Sequence, residues 1–312
     1  MRSSCRLYRL VLVFFLISLP AFGQSSAYKP GAPLMMWKVS SNAHSAYLLG
    51  SVHLGDKTLY PLPSVIEDAF AASSVLIVEV DMSRVNKLKL QRLITAAGSY
   101  PEGDSLSMHT TPDTRAKLDA FLRSYGIPPE TFAQYRPWRV GLTVGMLSMM
   151  RAGMDPNEGI DTYFLNRAGN KRIDELEDVA SQLKLFGDFP EKDNDRYIVR
   201  CIAQANSVTD NLDKLRTFWS QGAADKIGEL MASLSADESR EERAFDRRLR
   251  EDRNPHMTER LEKCLQSSSE SCFMVVGAAH VIGSEGMVKQ LQSRGYKVEQ
   301  AVVESPSQTA PK

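Results

Sequence analysis

Two stretches of this chain share one pattern of apolar and small residues, although more than two hundred positions separate them. Tyr47-Leu48-Leu49 runs into Gly50-Ser51-Val52-His53, and Phe273-Met274-Val275-Val276 runs into Gly277-Ala278-Ala279-His280. A near-continuous apolar run marks a strand buried on both faces, and glycine at its end permits close backbone approach. Each run therefore predicts a strand that delivers a histidine to the rim of a sheet. The elements behind the two runs come in the same order. After His53, a Gly-Asp-Lys turn leads to a helical period over 62–72, with Val65, Ile66, Ala69 and Phe70 on its apolar face, and then to a strand over 75–80. After His280, Ser284 reads as the N-cap of a helix with Glu285 in its first turn and Met287, Val288 and Leu291 on its apolar face. Arg294-Gly295 stops that helix before a strand over 296–303. Each unit has about the thirty residues that a right-handed parallel crossover needs.

Between the two units the period changes. Positions 37–40 and 46–50 form an antiparallel pair across the turn at 41–44, ahead of the first histidine. From Asn86 onward the pattern is helical, through Leu88, Leu90, Leu93 and Ile94, then 114–125, which Gly126 and Pro128-Pro129 stop, then 141–152. Arg172 to Glu177 reads as a short strand returning to the sheet, followed by helices over 183–186, 193–206 and 208–219. The charged segment 237–252 reads as a solvated helix face with i,i+4 opposite-charge pairs. Met146, Met149, Met150 and Met154 form a stripe that suits core filling or a lid surface better than copper binding. The predicted fold is α/β: a central mixed sheet, two duplicated strand-Gly-x-x-His-helix-strand units and an all-helical insert at about 86–170.

The first residues belong to a different class of segment. Arg2, Arg6 and Arg9 precede an apolar stretch from Leu10 to Leu19 and the small-residue site Pro20-Ala21-Phe22-Gly23, which is the pattern of a secretory signal peptide. The apolar run is shorter than the roughly twenty residues of a membrane span. No cysteine follows it for a lipid anchor. The expectation is an exported chain, periplasmic or secreted, that starts near Gln24, forms one domain over 24–304 and ends in a disordered polar tail at 305–312. Losing residues 1–23 removes three arginines and no acids, leaving 35 basic against 38 acidic side chains. That balance, with no basic run interleaved with aromatics, gives no reason to expect nucleic acid or an anionic membrane surface as a partner. In an oxidising compartment Cys264 and Cys272, eight positions apart around a Ser-rich turn, can close a disulfide, while Cys201 reads as a buried free thiol.

Candidate chemistry gathers around the two histidines. Neutral imidazole and carboxylate are the usual ligands of a catalytic divalent metal. His53 and His280 offer the nitrogens. Glu79, inside an otherwise apolar strand, offers an oxygen that would be costly to bury unpaired, with Asp81 on the same strand face or capping the next helix. Asp161 reads as the N-cap of a helix over 162–168. Glu177 ends the returning strand, where α/β sheets face their ligands. Arg253-Asn254 has the donors suited to an oxyanion or carboxylate. His44 and His256 look exposed, and His109 sits in a Ser/Thr-rich loop. No serine elbow, phosphate loop, zincin helix or dinucleotide fingerprint occurs.

Together these motifs resemble the TraB/PrgY/GumN family, which is related to the TIKI metalloproteases and more distantly to erythromycin-esterase-like and ChaN-like proteins. The resemblance rests on Leu48-Leu49-Gly50-Ser51-Val52-His53, Leu62-Pro63, Val78-Glu79-Val80-Asp81, Arg136-Pro137-Trp138, Gly159-Ile160-Asp161, Leu176-Glu177, Arg253-Asn254, Val276-Gly277-Ala278-Ala279-His280 and Gly295-Tyr296. It implies a pair of Gly-x-x-His units flanking one site, and a TIKI-like divalent-metal protease chemistry carried by His53, Glu79 and His280. PrgY-like members are linked to inhibition of a peptide pheromone and GumN-like members to polysaccharide gene clusters. The chain resembles the soluble GumN-like branch, since it lacks the membrane helices of the TraB and PrgY branches.

Three expectations follow. The first is an exported hydrolase, peptidase-like, in which Mn, Co or Zn bound by His53 and His280 works with Glu79, Arg253, Asn254 and Glu177 on a peptide or protein substrate. The second is a non-catalytic module that sequesters a peptide or glycan beneath the helical insert. The third is a metal-free, esterase-like hydrolase with histidine as general base.

Overall fold

Six strands form one mixed sheet: β1 (Pro33–Ser40), β2 (Ser45–Ser51), β3 (Val75–Val78), β4 (Arg172–Glu175), β5 (Cys272–Gly277) and β6 (Lys297–Val302), in the spatial order β4-β3-β5-β2-β1-β6. The computed structural model describes residues 28–304 apart from Ala43 and Ser268. The signal-peptide pattern at 1–23, the start near Gln24 and the tail at 305–312 lie outside the described residues. Strand β1 runs antiparallel to β2 and β6, and every other neighbouring pair is parallel. The apolar runs behave as their composition requires. All six residues of β5 and all four of β3 are buried. At the edges the sequence turns polar: β4 is Arg-Ile-Asp-Glu and pairs its Asp174 with Arg172 and Arg260, which discourages further strand addition.

Helix α1 (Ser64–Ala71) crosses from β2 to β3, passing β5. Helices α2 (Lys87–Gly98), α3 (Pro112–Ser124), α4 (Pro137–Arg151) and α5 (Ile160–Arg167) fill the expected insert. The helical layer then continues past β4 with α6 (Val179–Leu185), α7 (Asn194–Asn206), α8 (Val208–Ser220), α9 (Ala224–Leu234), α10 (Arg240–Leu249) and α11 (Asn254–Gln266). Its core joins Leu118, Leu122, Val140 and Val144 to Ile198, so the insert is built from chain on both sides of β4. The short turn α12 (Ala278–Val281) and α13 (Met287–Ser293) then lead from β5 to β6.

The two crossovers leave the central pair in opposite directions. From β2 the chain travels toward β3, and from β5 it travels past β2 and β1 to β6. The register Ser51↔Gly277 makes β2 and β5 end level with one another. Their carboxyl ends are thus a point where connections diverge, the place where open α/β sheets form ligand crevices. Among the described residues no helix is long and apolar enough to cross a membrane.

Several local expectations need correction. The strand expected over 75–80 stops at Val78, and the one expected over 172–177 stops at Glu175, so Glu79 and Asp81 do not share a strand face. Asp81 is fully buried, where it accepts from Ser83 while its own N–H donates to Glu175. The last helix starts at Met287 with Gly286 as cap rather than at Ser284, because residues 283–286 close a turn in which a Cβ at Gly286 would lie 2.2 Å from the Ile282 carbonyl oxygen. The charged segment is a solvated face only in part: Arg240, Glu241, Arg243 and Arg247 are exposed and Arg250 pairs with Asp246 at i,i+4, 3.0 Å, but not every acid faces water. In α10, Glu242 is buried, bound by Arg200 of α7 at 2.8 Å and by the Ser239 capping box. Its partner lies 42 residues away, beyond the reach of an i,i+4 argument. In the methionine stripe, Met146 and Met150 are exposed and only Met154 is buried.

Candidate active site

His53 stands two residues past β2 on a loop fixed by backbone contacts to the start of α5. Gly55 and Asp155 exchange hydrogen bonds of 3.1 and 2.8 Å, and the Ile160 N–H donates to the Val52 carbonyl at 3.0 Å. Gly159 makes this approach feasible, since a Cβ there would sit 2.2 Å from the His53 carbonyl oxygen. The clamp brings Asp161 beside the imidazole. Its carboxylate accepts from Ser51 Oγ at 2.8 Å and meets His53 Nδ1 at 2.9 Å. Asp161 therefore does not cap its helix. Gly159 occupies the cap position, and the aspartate in the first turn is free to hold a histidine.

Glu79 follows β3, and the Glu177 N–H donates to its carbonyl at 3.0 Å, which sets these two acids side by side. The Glu79 side chain is enclosed. Its Oε1 accepts the Gly277 N–H at 2.8 Å, and its Oε2 accepts Arg253 Nη2 at 2.8 Å. His53 Nε2 lies 3.9 Å from Oε1, and His280 Nε2 lies 3.7 Å from Oε2. A side chain at 277 would crowd this arrangement, since a Cβ would come within 3.2 Å of His53 Nε2 and 3.3 Å of Glu79 Oε1.

His280 sits in α12, buried, with Nδ1 2.8 Å from Asn254 Oδ1. The Asn254 amide nitrogen donates to the Glu285 carbonyl at 2.8 Å, so its oxygen must face the ring and accept. That assigns the proton to Nδ1 and leaves the Nε2 lone pair to accept from Arg253 Nη1. Arg253 completes the cluster. It forks onto Glu177 at 2.7 and 2.6 Å, donates to the Leu249 carbonyl at 2.7 Å, and places Nη1 3.1 Å from His280 Nε2. The Cys264–Cys272 disulfide, Cα–Cα 6.3 Å, ties α11 to β5, the elements that bring Asn254 and His280 together.

The charges follow from these contacts. Burial alone would raise the Glu79 pKa, yet His280, His53, the Gly277 N–H and Arg253 outweigh it and hold the carboxyl down at about 2. The His53 side chain is 59% exposed, so desolvation opposes its charge only weakly, and Asp161 and then Glu79 raise its pKa to about 9, which makes the ring an imidazolium at neutral pH. His280 stays neutral because burial, with Arg253 beside it, overrides the pull of Glu79. Three carboxylates, Asp161, Glu79 and Glu177, thus face one imidazolium and one guanidinium, an excess of one negative charge.

Beside Arg253 the cluster opens into a cleft of about 580 Å³ that runs past Glu175, Glu177, Asp178 and Ser181 to His256. The sequence-predicted residues His53, Glu79, Glu177, Arg253, Asn254 and His280 all meet in the cluster, and of these Glu177 and Arg253 line the cleft. Asp161 and Gln182 had not been counted among the site residues. The Gln182 amide donates to Glu177 at 3.1 Å, and no sequence signal singles it out. His109 is elsewhere, paired with Asp104 at 2.8 Å, and His44 is half-buried in the β1–β2 turn. Cys201 lies outside the site too, and burial pushes its thiol up to about 11, far from nucleophilic.

The donors of the cluster bear on a divalent cation in two opposing ways. Two imidazoles with Nδ1 committed elsewhere and a carboxylate between them fit such an ion once His53 gives up its Nε2 proton to it. Against this, Arg253 Nη1 already takes the His280 lone pair, and among the described residues the three donors are not gathered within 4.8 Å of one another. Of the described residues, only Cys264, Glu270 and Cys272 are so gathered, and both cysteines are spent in the disulfide.

A profile of the TraB/PrgY/gumN family matches residues 35–300, a span that takes in all these site residues. The chain belongs to the TraB/PrgY/gumN family. Its curated relatives include uncharacterized proteins named YbaP from Shigella flexneri, 26% identical over 153 residues (48% of this chain and 54% of the relative), and from Escherichia coli strain K12, 24% identical over 148 residues (47% and 53%). An uncharacterized protein of Treponema pallidum strain Nichols is 23% identical over 167 residues, 51% of this chain and 48% of its own length. The chain thus matches about half the length of these relatives. No solved structure matches it significantly.

Proposed function

We propose that this TraB/PrgY/gumN family member is an exported hydrolase acting on a peptide or protein in the cleft beside Glu79, with a divalent metal held by His53, His280 and Glu79. One observation carries the reading. Two imidazoles, each with its Nδ1 committed to an oxygen of Asp161 or Asn254, turn their Nε2 atoms to the two oxygens of a single buried carboxylate. Outer partners of this kind orient metal-binding histidines, and the surplus negative charge favours a cation. A bound Mn, Co or Zn ion would supply a water of lowered pKa. The chain's own residues then divide the remaining work. Glu79, ionised throughout the physiological range, is a ligand or takes the proton of the attacking water. Arg253, its five N–H donors engaged by Glu177, Glu79, the Leu249 carbonyl and His280, would stabilise the developing oxyanion through its charge alone, Glu177 holds that guanidinium in place, and Asp161 and Asn254 fix the two rings. Export is supported by the pattern of residues 1–23 and by the disulfide, a bond that persists in oxidising compartments.

The test is metal content after exposure to Mn²⁺, Co²⁺ and Zn²⁺, measured beside cleavage of a peptide library. Stoichiometric uptake that both His53→Ala and His280→Ala abolish, together with the cleavage, supports the reading. A protein that takes up none of the three ions refutes it.

The contact of Arg253 Nη1 with His280 Nε2 favours a second, metal-free reading. There His53, protonated at neutral pH, donates to the leaving group while Glu79 serves as base. Hydrolysis that survives chelation and still requires His53 would select it.

A further inference from the structure

Where α7 meets α10 a second group of acids and arginines is enclosed, apart from the cleft, and its charges do not balance. Glu242 Oε1 accepts Arg200 Nη1 at 2.8 Å, its Oε2 lies 3.2 Å from Arg196 Nη2, and Arg196 also holds Asp193 at 2.6 Å. One turn along α10, Asp246 accepts Arg250 Nη2 at 3.0 Å. The fourth acid, Glu238, comes from the turn between α9 and α10 and has the poorest partners. Its side chain is 7% exposed, its Oε1 stands 3.7 Å from Arg200 Nη2, and its Oε2 is buried without a hydrogen bond. These four carboxyl groups thus share three guanidiniums. Glu238 and Asp246 also lie within hydrogen-bond reach of one another. Two carboxylates have no proton to offer each other, so such a contact is favourable only with a proton between them. That proton belongs on Glu238 Oε2, because Asp246 already has Arg250 as donor, and once protonated the orphaned oxygen becomes a donor itself. Burial, with Asp246 opposite, pushes the Glu238 carboxyl up to about 6, while Arg200 and Ser235 pull the other way. Tyr197 and Cys201 of α7 face the same group, and burial raises both above their ordinary values, so neither brings a charge. Arg243 donates to the Glu238 carbonyl from the exposed side.

We propose that the proton shared by Glu238 and Asp246 is a pH switch: when it leaves, the turn at 235–239 opens and α10 loosens its hold on the segment that carries Arg253. Ionised, the two carboxylates repel one another at hydrogen-bond distance inside the helical layer, where water screens them poorly. Glu238 relieves the repulsion by turning outward, since Ala236 and Asp237 beside it are already exposed. Asp246 is the anchor of Arg250, and Arg250 opens the turn 250–253. The Arg250 carbonyl accepts the Arg253 N–H at 3.3 Å, and the carbonyl of Leu249, the last residue of α10, accepts the Arg253 guanidinium at 2.7 Å. A displaced Asp246 therefore reaches the guanidinium that holds Glu79 and Glu177. The switch concerns the mounting of that arginine and does not depend on the hydrolase reading.

The experiment compares the metal-free full chain with Glu238→Gln, whose amide supplies a donor at every pH. Carboxyl ¹³C signals in NMR should give Glu238 a midpoint near 6, and Asp246→Asn should bring it down to about 4.5 or below. A folded value above the ordinary 4.5 gives stability that is complete below pH 4.5 and is lost as pH rises through about 6. The unfolding equilibrium constant of the wild type relative to Glu238→Gln should therefore rise by about thirtyfold between about pH 4 and pH 7.5. Over the same interval the backbone amides of 249–253, corrected for intrinsic rates, should exchange with deuterium at least about tenfold faster in the wild type and no faster in Glu238→Gln. A Glu238 midpoint at or below 4.5 overturns the shared proton. Exchange at 249–253 that ignores pH, or follows it equally in both proteins, overturns the switch. The midpoint and the exchange of the wild type alone decide the matter if Glu238→Gln does not fold.

Discussion

Replacing Arg253 by methionine tests the construction of the cleft, because that guanidinium neutralises two acids that are largely withdrawn from water. It makes three contacts of 2.6–2.8 Å with Glu177 and Glu79, whose side chains are only 15% and 10% exposed. Methionine fills a similar volume and leaves Glu79 Oε2 with only Gln182 at 3.5 Å. Breaking a buried pair by removing one partner costs about 3–5 kcal/mol, since an uncompensated charge stays behind. Urea denaturation of wild type and Arg253→Met at neutral pH should show a loss of that size, with the midpoint lowered and the slope unchanged. The pH dependence has a definite sign. Glu79 titrates at about 2 in the folded protein against an ordinary 4.5, so its contribution is complete above pH 4.5 and disappears as pH falls toward 2. Without Arg253 that depression is smaller, and the gap between the two proteins narrows on acidification. Adding Glu177→Gln removes one orphaned charge and should recover about 1–2 kcal/mol. A loss below about 1 kcal/mol, or a gap that widens toward pH 3, refutes the account of Arg253 as the counter-charge of a buried acid pair.

Three further outcomes follow from the contacts. Asp161→Asn removes the largest influence raising His53, so in metal-free protein the His53 ring signal in NMR should titrate at least about one unit below its wild-type midpoint near 9. The stabilisation it gives, present below pH 6.5 and lost as pH rises through about 9, should fade earlier, and an unmoved midpoint would contradict the pairing. Gly159→Ala forces a methyl group against the His53 carbonyl and should cost about 1–3 kcal/mol while shifting the His53 signal; thermal unfolding and the same NMR signal measure both. The double change Cys264→Ser with Cys272→Ser opens an eight-residue loop and should cost about 2–3 kcal/mol in denaturation, and a wild-type midpoint insensitive to reductant would be inconsistent with it.

The two apolar runs ending in histidine were legible as strands of an α/β sheet because burial on both faces leaves an unbroken hydrophobic signature, and the structure sets β2 and β5 side by side. The polar partners were less legible. Asp161 read as a helix cap because an aspartate at a helix start usually bonds its own backbone, and only the glycine clamp between 52–55 and 155–160 turns it to a ring 108 residues away. Glu242 read as solvated for the same reason, its arginine being remote in sequence.

By itself the sequence determined the strands, the glycines that let backbones approach, the histidines at two strand ends and the cysteines that join α11 to β5. Period and composition act over a few residues, which is the range a linear string records. Which oxygen faces which nitrogen, that the His53 ring is charged while that of His280 is neutral, and that one arginine stands between two acids were decided only by the tertiary structure. Charge and hydrogen bonding act through space, and the groups that set them in this site come from six separate segments of the chain.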